Sequence, residues 1–394
     1  MNSLTSESIS LLDEINSIEE ARNLFPVTES CVYLDSAHYS QYSLETRRRL
    51  MEFIDEFTFT NKNLSLINMK LSETLKSRAA DLINADKNEI IIIGSTTHGL
   101  NIFANGIKLE RGEKAAYADS EFPAVAYPWM NQQKLRGIEN ILIPSVNGKI
   151  KIGDIEKTIR ENNVRVLTIS SVEFLGFKND LNAVGKICRE NNCYFVVDAI
   201  QGMGVCPVDV KESGIDFMAA GSQKWMMAPA GIGFAFISDR IRDNVDPTYA
   251  ATSSIEFDFK NFLDYKLNFK KDGNAFENST PNTLGMIGLI SSIDLFLKLG
   301  VKNIFGHIQK LQDIFINEMD DSDFIIDSDP DPVHRSNILI FSYKDNKRND
   351  EVQKYLESKK IFIALREGFL RLSAHLFNNK KDITDLTDAL KEFS

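Results

Sequence analysis

The chain has 394 residues, 43% of them hydrophobic and 26% charged, a composition that excludes a disordered or fibrous protein and a length that calls for two lobes. The 45 Lys+Arg against 56 Asp+Glu give a formal net charge of -11, which argues against the phosphate backbone of nucleic acid as a partner. No apolar run approaches the roughly 18 to 20 residues that cross a bilayer, and "MNSLTSESISLLDEINSIEEARNLF" lacks the basic start and apolar stretch of a signal peptide, so a cytoplasmic protein acting on small molecules, away from membranes, is expected.

In chain order, residues 5–24 place Ile9, Leu12, Ile15, Ile18 and Ala21 near helical spacing and predict one amphipathic helix. The short strand "CVYLDSA" follows, then helices from Ser43 to about Phe57 and from Lys70 to about Ile83. Strand, turn and helix then alternate through "EIIIIGSTTHGLNIFANGI", "KAAYADSEFPAVAYPWMNQQ", "RVLTISSVEF", "YFVVDAIQ", "GIDFMAAGSQKW" and "GIGFAFIS". This rhythm predicts an α/β fold with a mainly parallel central sheet and helices on both faces. In such a sheet, ligands gather outside the carboxyl ends of the strands.

From about Asn274 the helices "GMIGLISSIDLFLKLG" and "VKNIFGHIQKLQDIFINEM", the strands "SNILIFSY" and "IFIALREGFLRLSA" and a final helix with "ITDLTDALKEF" predict a smaller α+β lobe. The expected division is residues 1–34 packing with the small lobe, a large domain over 35–273, and a small C-terminal domain over 274–394. Cys31, Cys188, Cys193 and Cys206 have no C-x-x-C spacing. They read as reduced, mostly buried thiols, and no metal site is expected.

Three strand ends carry chemistry. Asp198 closes the apolar run "YFVV", where an unpaired carboxylate is costly, and Lys224 stands between "GSQ" and "WMMAPAGIGF", where a second charge is equally unexpected. The turn "GSTTHG" runs from a buried strand into a helix near Thr97, a place where free N–H groups and hydroxyls serve either as a plain cap or as an anion site. Leu100 and Asn101 stand where a P-loop needs Lys and Ser/Thr. A phosphate site, a buried aspartate and a buried lysine at the ends of one sheet suit pyridoxal 5'-phosphate (PLP): Asp198 would face the protonated ring nitrogen, and Lys224 would form the Schiff base.

"YFVVDAIQGMG" followed by "GSQKWMMAPAGIGF" resembles the class V aminotransferase family of fold-type I PLP enzymes, which includes cysteine desulfurases, selenocysteine lyases, kynureninase and isopenicillin N epimerase-like proteins. "VYLDSAHYS", "GSTTHGLN", "EFPAVAYPW", "ISSVEFLGFKNDL", "FENSTPNT" and "GFLRLSAHLFNN" extend the resemblance over nearly the whole chain. It implies a phosphate site made by Thr96, Thr97 and His98, the last through its backbone N–H, together with Ser222 and Gln223. It implies Gln201 beside the phenolic oxygen and Phe122 stacked on the ring where desulfurases have a histidine. By the same resemblance Thr280 reaches the phosphate of the other subunit of a homodimer, and Arg371 holds a substrate α-carboxylate. Taken alone, Arg371 between Leu370 and Leu372 reads as a solvent-facing strand residue, and His38 and His375 as ordinary hydrogen-bonded histidines.

The departures limit the reaction. "SKKIFIALREGFLRLS" holds no cysteine where desulfurases carry their nucleophile, which disfavours persulfide chemistry on the protein. Glu173 replaces the usual Asn or Gln near the phenolic oxygen, and Ala275 stands where relatives often have Arg. The expected activity is PLP-dependent chemistry on an α-amino acid, with amino transfer ahead of a β-eliminating, C–S lyase-like reaction or epimerisation. A non-catalytic binding protein that retains the fold is the remote alternative.

Overall fold

The computed structural model describes residues 10–258, 260–261, 263–278 and 280–393. Its centre is a seven-stranded sheet in the order Ile90–Ile93, Gly233–Ile237, Phe217–Gly221, Tyr194–Asp198, Val166–Ser170, Lys114–Ala118 and Glu139–Ile143. Only Gly233–Ile237 runs antiparallel to its neighbours. The inner strands are apolar and buried along their length, as strands covered on both faces must be. Two apolar layers flank them, one including Leu75, Leu167, Phe195 and Phe296 and the other Phe103, Trp129, Phe217 and Val245.

A second sheet, antiparallel and four-stranded, joins Phe324–Ile326, Leu339–Tyr343, Phe369–Leu372 and Ala364–Arg366. Phe341, Leu370 and Leu372 pack there against Ile383, Leu386 and Leu390 of the helix Lys380–Phe393. Helix Thr283–Leu299 is buried with the central sheet through Met286, Leu289, Ile293 and Phe296, and the next helix, Val301–Glu318, passes from that core at Ile304 and Ile308 into the smaller one at Leu311 and Phe315.

The single N-terminal helix expected over 5–24 is replaced by separate turns, with residues 5–9, including Ile9, outside the described residues. Leu11–Glu14 forms a 3-10 turn, Ile15 is extended, and Ile18–Ala21 starts again. Ser17 is the reason: its hydroxyl accepts from Glu20 N–H and restarts the helix, while the Glu20 carboxylate accepts from Asn16 N–H at 2.7 Å. The segment then bridges the lobes. Leu12 and Ile15 enter the central core, Arg22 pairs with Asp382 at 2.7 Å, and Val32–Tyr33 adds in parallel to Ile361–Phe362. Among the described residues no single helix is long and apolar enough to cross a membrane, and no group of three or more metal-ligating side chains occurs.

Candidate active site

Five parallel-running strands deliver side chains to one edge. Asp198 lies opposite Ser170 in register and is buried, with Oδ1 accepting from Ile200 N–H at 2.9 Å. Burial pushes its carboxyl up to about 6, against the pull of the Ile200 N–H and of Lys224. Lys224 follows the strand Phe217–Gly221, and its ammonium has no hydrogen-bond or ion-pair partner among the described residues; burial brings that ammonium down to about 8, with Asp198 acting in the opposite sense. Its Nζ lies 5.6 Å from the centroid of the half-exposed Phe122 ring. Asp198 and Lys224 are thus in electrostatic range but not in contact, with the Phe122 ring beside the Lys224 ammonium.

At the neighbouring strand end, Ser95 caps the helix Thr96–Gly106. Its hydroxyl accepts from His98 N–H at 3.1 Å, so the backbone donor expected at a phosphate is already engaged. The His98 ring offers a replacement: Nδ1 accepts from Gly94 N–H at 3.1 Å, which puts the proton on Nε2, and Nε2 is buried without a partner. Burial holds that ring below the usual histidine range, in the neutral form. Thr96 is buried with its hydroxyl accepting from Gly221 N–H at 2.8 Å, whereas Thr97 is exposed. Their N–H groups head the helix, where no preceding turn supplies a carbonyl.

Ser222 and Gln223 sit beside this turn. The Ser222 hydroxyl faces the Pro229 and Ile232 carbonyls at 2.6 and 2.9 Å, so in this arrangement its proton closes the turn instead of serving an anion. The Gln223 carbonyl accepts from Ser40 N–H. Gln201 is buried, with Nε2 donating to the Ala37 carbonyl at 3.2 Å and Oε1 accepting from Trp225 Nε1 at 2.9 Å, which leaves one amide proton for a ligand. His375 is the hydrogen-bonded core histidine expected: Nδ1 accepts from Leu376 N–H and Nε2 meets the Trp225 carbonyl. His38 is exposed and lies 3.5 Å from Asp35. Thr280 is exposed and borders a different cleft, of about 500 Å³, whose lining includes none of the other expected site residues.

Arg371 is buried, contrary to the solvent-facing position that its alternation with Leu370 and Leu372 suggests, because the Asp35 and Phe174 segments cover its strand. Nη1 donates to the Phe174 carbonyl at 3.2 Å, Nη2 lies 3.5 Å from Asp35 Oδ1, and Nε is buried with no partner. Three residues were not singled out from the sequence. Asp35 faces Arg371, with burial raising its carboxyl against that arginine's pull. Arg366 lies opposite Phe369 in the hairpin and so shares a face with Arg371, and its charge is felt at Lys224. Glu121 touches Ser170 and Glu173. The two-residue turn at Glu367 and Gly368 sets Arg366 opposite Phe369 and so onto the face of Arg371; the other two pairings are tertiary. Ala275 is buried in the core rather than at the site.

The unpartnered buried donors on His98 and Arg371, with Asp198 and Lys224 held apart at adjacent strand ends, fit a ring-shaped cofactor with an anionic arm and a carboxylate-bearing substrate. A sheet of this order with a lysine and an aspartate at adjacent strand ends defines a fold-type I PLP-dependent enzyme. The model of the class-V aminotransferase family matches residues 32–385. Among curated proteins, the chain is 24% identical to the uncharacterized aminotransferase YcbU of Bacillus subtilis, covering 94% of this chain and 97% of that one. It is 26% identical to a probable cysteine desulfurase of Methanothermobacter thermautotrophicus, covering 95% and 98%. Among solved structures, it resembles the cystine C–S lyase C-DES in complex with cysteine persulfide, with a TM-score of 0.83 at 19% identity over 93% of this chain and 99% of that one. A C-DES mutant with glycine covalently linked to the PLP cofactor gives a TM-score of 0.86 at 19% identity, covering 95% and 99%. The chain belongs to the class-V aminotransferase family.

Proposed function

We propose that this enzyme acts on an α-amino acid by amino transfer, with Lys224 as the residue that holds the cofactor and later moves the substrate's Cα proton. The observation that carries this reading is the grouping of Lys224, Asp198 and Phe122 at one edge of the central sheet, with Arg371 of the second sheet close enough for its charge to act on Lys224, and with no cysteine anywhere after Cys206 in the chain. When bound, PLP supplies an aldehyde for condensation with an amine and a protonated ring that accepts electron density. The chain's own residues do the rest. Asp198 holds a negative charge for the ring nitrogen, Lys224 with its lowered basicity is suited to proton transfer near neutral pH, and Arg371 offers its unfilled donors to the α-carboxylate. Thr96, Thr97, His98, Ser222 and Gln223 form the proposed phosphate side, of which the His98 ring and the two threonine N–H groups are the best placed. Gln201 is proposed at the phenolic oxygen.

A β-eliminating reaction is the second reading, favoured by the match to C-DES, which is a cystine C–S lyase. A panel of amino acids separates the two. Amino transfer is expected to yield a keto acid in step with amination of an added keto-acid acceptor, without ammonia. Acceptor-independent release of ammonia with loss of a β-substituent would establish elimination instead. Borohydride reduction and peptide mapping are expected to place the pyridoxyl group on Lys224, and a label on another lysine would overturn its role.

A further inference from the structure

Glu121 and Glu173 leave the sheet edge on neighbouring loops, after the strands Lys114–Ala118 and Val166–Ser170. Glu121 is fixed by Ser170, whose N–H and hydroxyl donate to its two oxygens at 2.7 and 2.6 Å. Glu173 is almost fully buried; Asn179 Nδ2 donates to its Oε1 at 2.8 Å, and its Oε2 is enclosed without any donor. The Glu173 carboxyl lies within hydrogen-bond reach of the Glu121 carboxyl. Two ionised carboxylates in that position would repel each other in an enclosed site, and Glu173 Oε2 would lack a donor.

The charged groups around them give no other relief. Asp198 adds a third carboxylate, felt at both glutamates. Lys224 acts on Asp198, Arg371 is turned to the Phe174 carbonyl and Asp35, and the Lys178 ammonium lies over the Phe305 ring. Among the described residues, no cation forms an ion pair with Glu121 or Glu173. We infer that Glu121 and Glu173 share one proton, forming an acid pair of single negative charge that positions the Phe122 loop and spares Asp198 a second neighbouring charge. The proton explains how a glutamate stands at position 173, where the resemblance leads one to expect a neutral amide: the acid is kept in a form that donates. The pair acts through Asp198 and the Phe122 loop, so these are positioning residues.

The sign of the pH effect follows from linkage. Burial, with the Asp198 charge, holds Glu121 up at about 8 from an ordinary value of 4.5, against the pull of the Ser170 donors and of its contact with Glu173, and burial together with the Glu121 charge raises Glu173 as well. The folded protein therefore keeps a proton that the unfolded chain releases, so the stability tied to that proton is complete below about 4.5 and is lost as pH rises to about 8. Asp198, also raised, slopes the same way but is left in place by the variants below.

The test uses holoenzyme of the wild type, Glu173→Gln and Glu121→Gln. An amide at either position supplies the missing donor without the titrating proton. The Tm difference, wild type minus variant, is expected to fall between about pH 5 and 8 with a slope worth about one proton per chain. The wild type should also show a protonated-carboxyl infrared band at neutral pH that both variants lose. If either variant folds and keeps both the band and the slope, or if the wild type has no such band, the shared proton is disproved. Should one variant fail to fold, the other decides.

Discussion

The guanidinium of Arg371 is enclosed, donates once to a backbone carbonyl, meets Asp35 only at 3.5 Å and leaves Nε without a partner. Burial brings it down to about 10, against the pull of Asp35. A buried guanidinium with donors to spare is costly unless a further acceptor arrives, and its planar fork matches a carboxylate. Arg371→Lys keeps the charge and loses the fork. We expect kcat/KM for the amino-acid substrate to fall by roughly thirtyfold to a thousandfold, the equivalent of about 2 to 4 kcal/mol, with a smaller effect on a slow reaction with an amine that has no carboxylate. Equal losses with both would make Arg371 a structural residue.

At the scale of elements, close backbone approach sets what the sheet and its helices tolerate. Gly185 lies in helix Leu181–Glu190, and a Cβ there would collide with the Ser213 carbonyl of the next short helix. Gly153, in helix Ile152–Asn162, faces open space. Gly185→Ala is expected to destabilise the holoenzyme by ~1–3 kcal/mol through overpacking, whereas Gly153→Ala should be neutral or stabilising by up to about 1 kcal/mol; thermal unfolding of the two side by side checks both. The same distinction explains what was legible in the sequence. Repeated strand, turn and helix units gave the central sheet, because buried parallel strands are long apolar runs that local composition reveals. Asp198 and Lys224 were legible as charges interrupting such runs. The broken N-terminal helix was hidden by its apolar spacing, which continues across Ser17 although the backbone does not. The hydroxyl of Ser222, the burial of Arg371 and the meeting of Glu121 with Glu173 depend on segments far apart in the chain, and no local pattern encodes them.

Across the whole molecule, the Lys224 site and the cleft that holds Thr280 are separate within one protomer. That cleft is also bordered by Met69, Ile255 and Phe257, and the nearby chain exposes large apolar side chains: Met69 is 65% accessible, Leu263 80% and Tyr265 85%. Met69 on the cleft, and Leu263 and Tyr265 a few residues beyond Phe257 in the chain, are large apolar groups that favour a protein surface as their partner. A second copy of the chain would cover them and would bring Thr280 to the other protomer's phosphate side, where the Thr96 and Thr97 N–H groups and the His98 ring wait with donors unfilled. We therefore expect a homodimer in which cofactor retention depends on association. Sedimentation of holoenzyme at micromolar concentration should give a species of about twice 44.5 kDa, and Met69→Glu, which places a charge in the cleft, should shift the population towards monomer and speed the loss of PLP on dialysis. Thr280→Ala should leave the dimer intact while weakening PLP retention. A holoenzyme that sediments only as a monomer, or a Met69→Glu monomer that retains PLP as well as the wild type, would show that each protomer completes its own phosphate site and that Thr280 has no part in it.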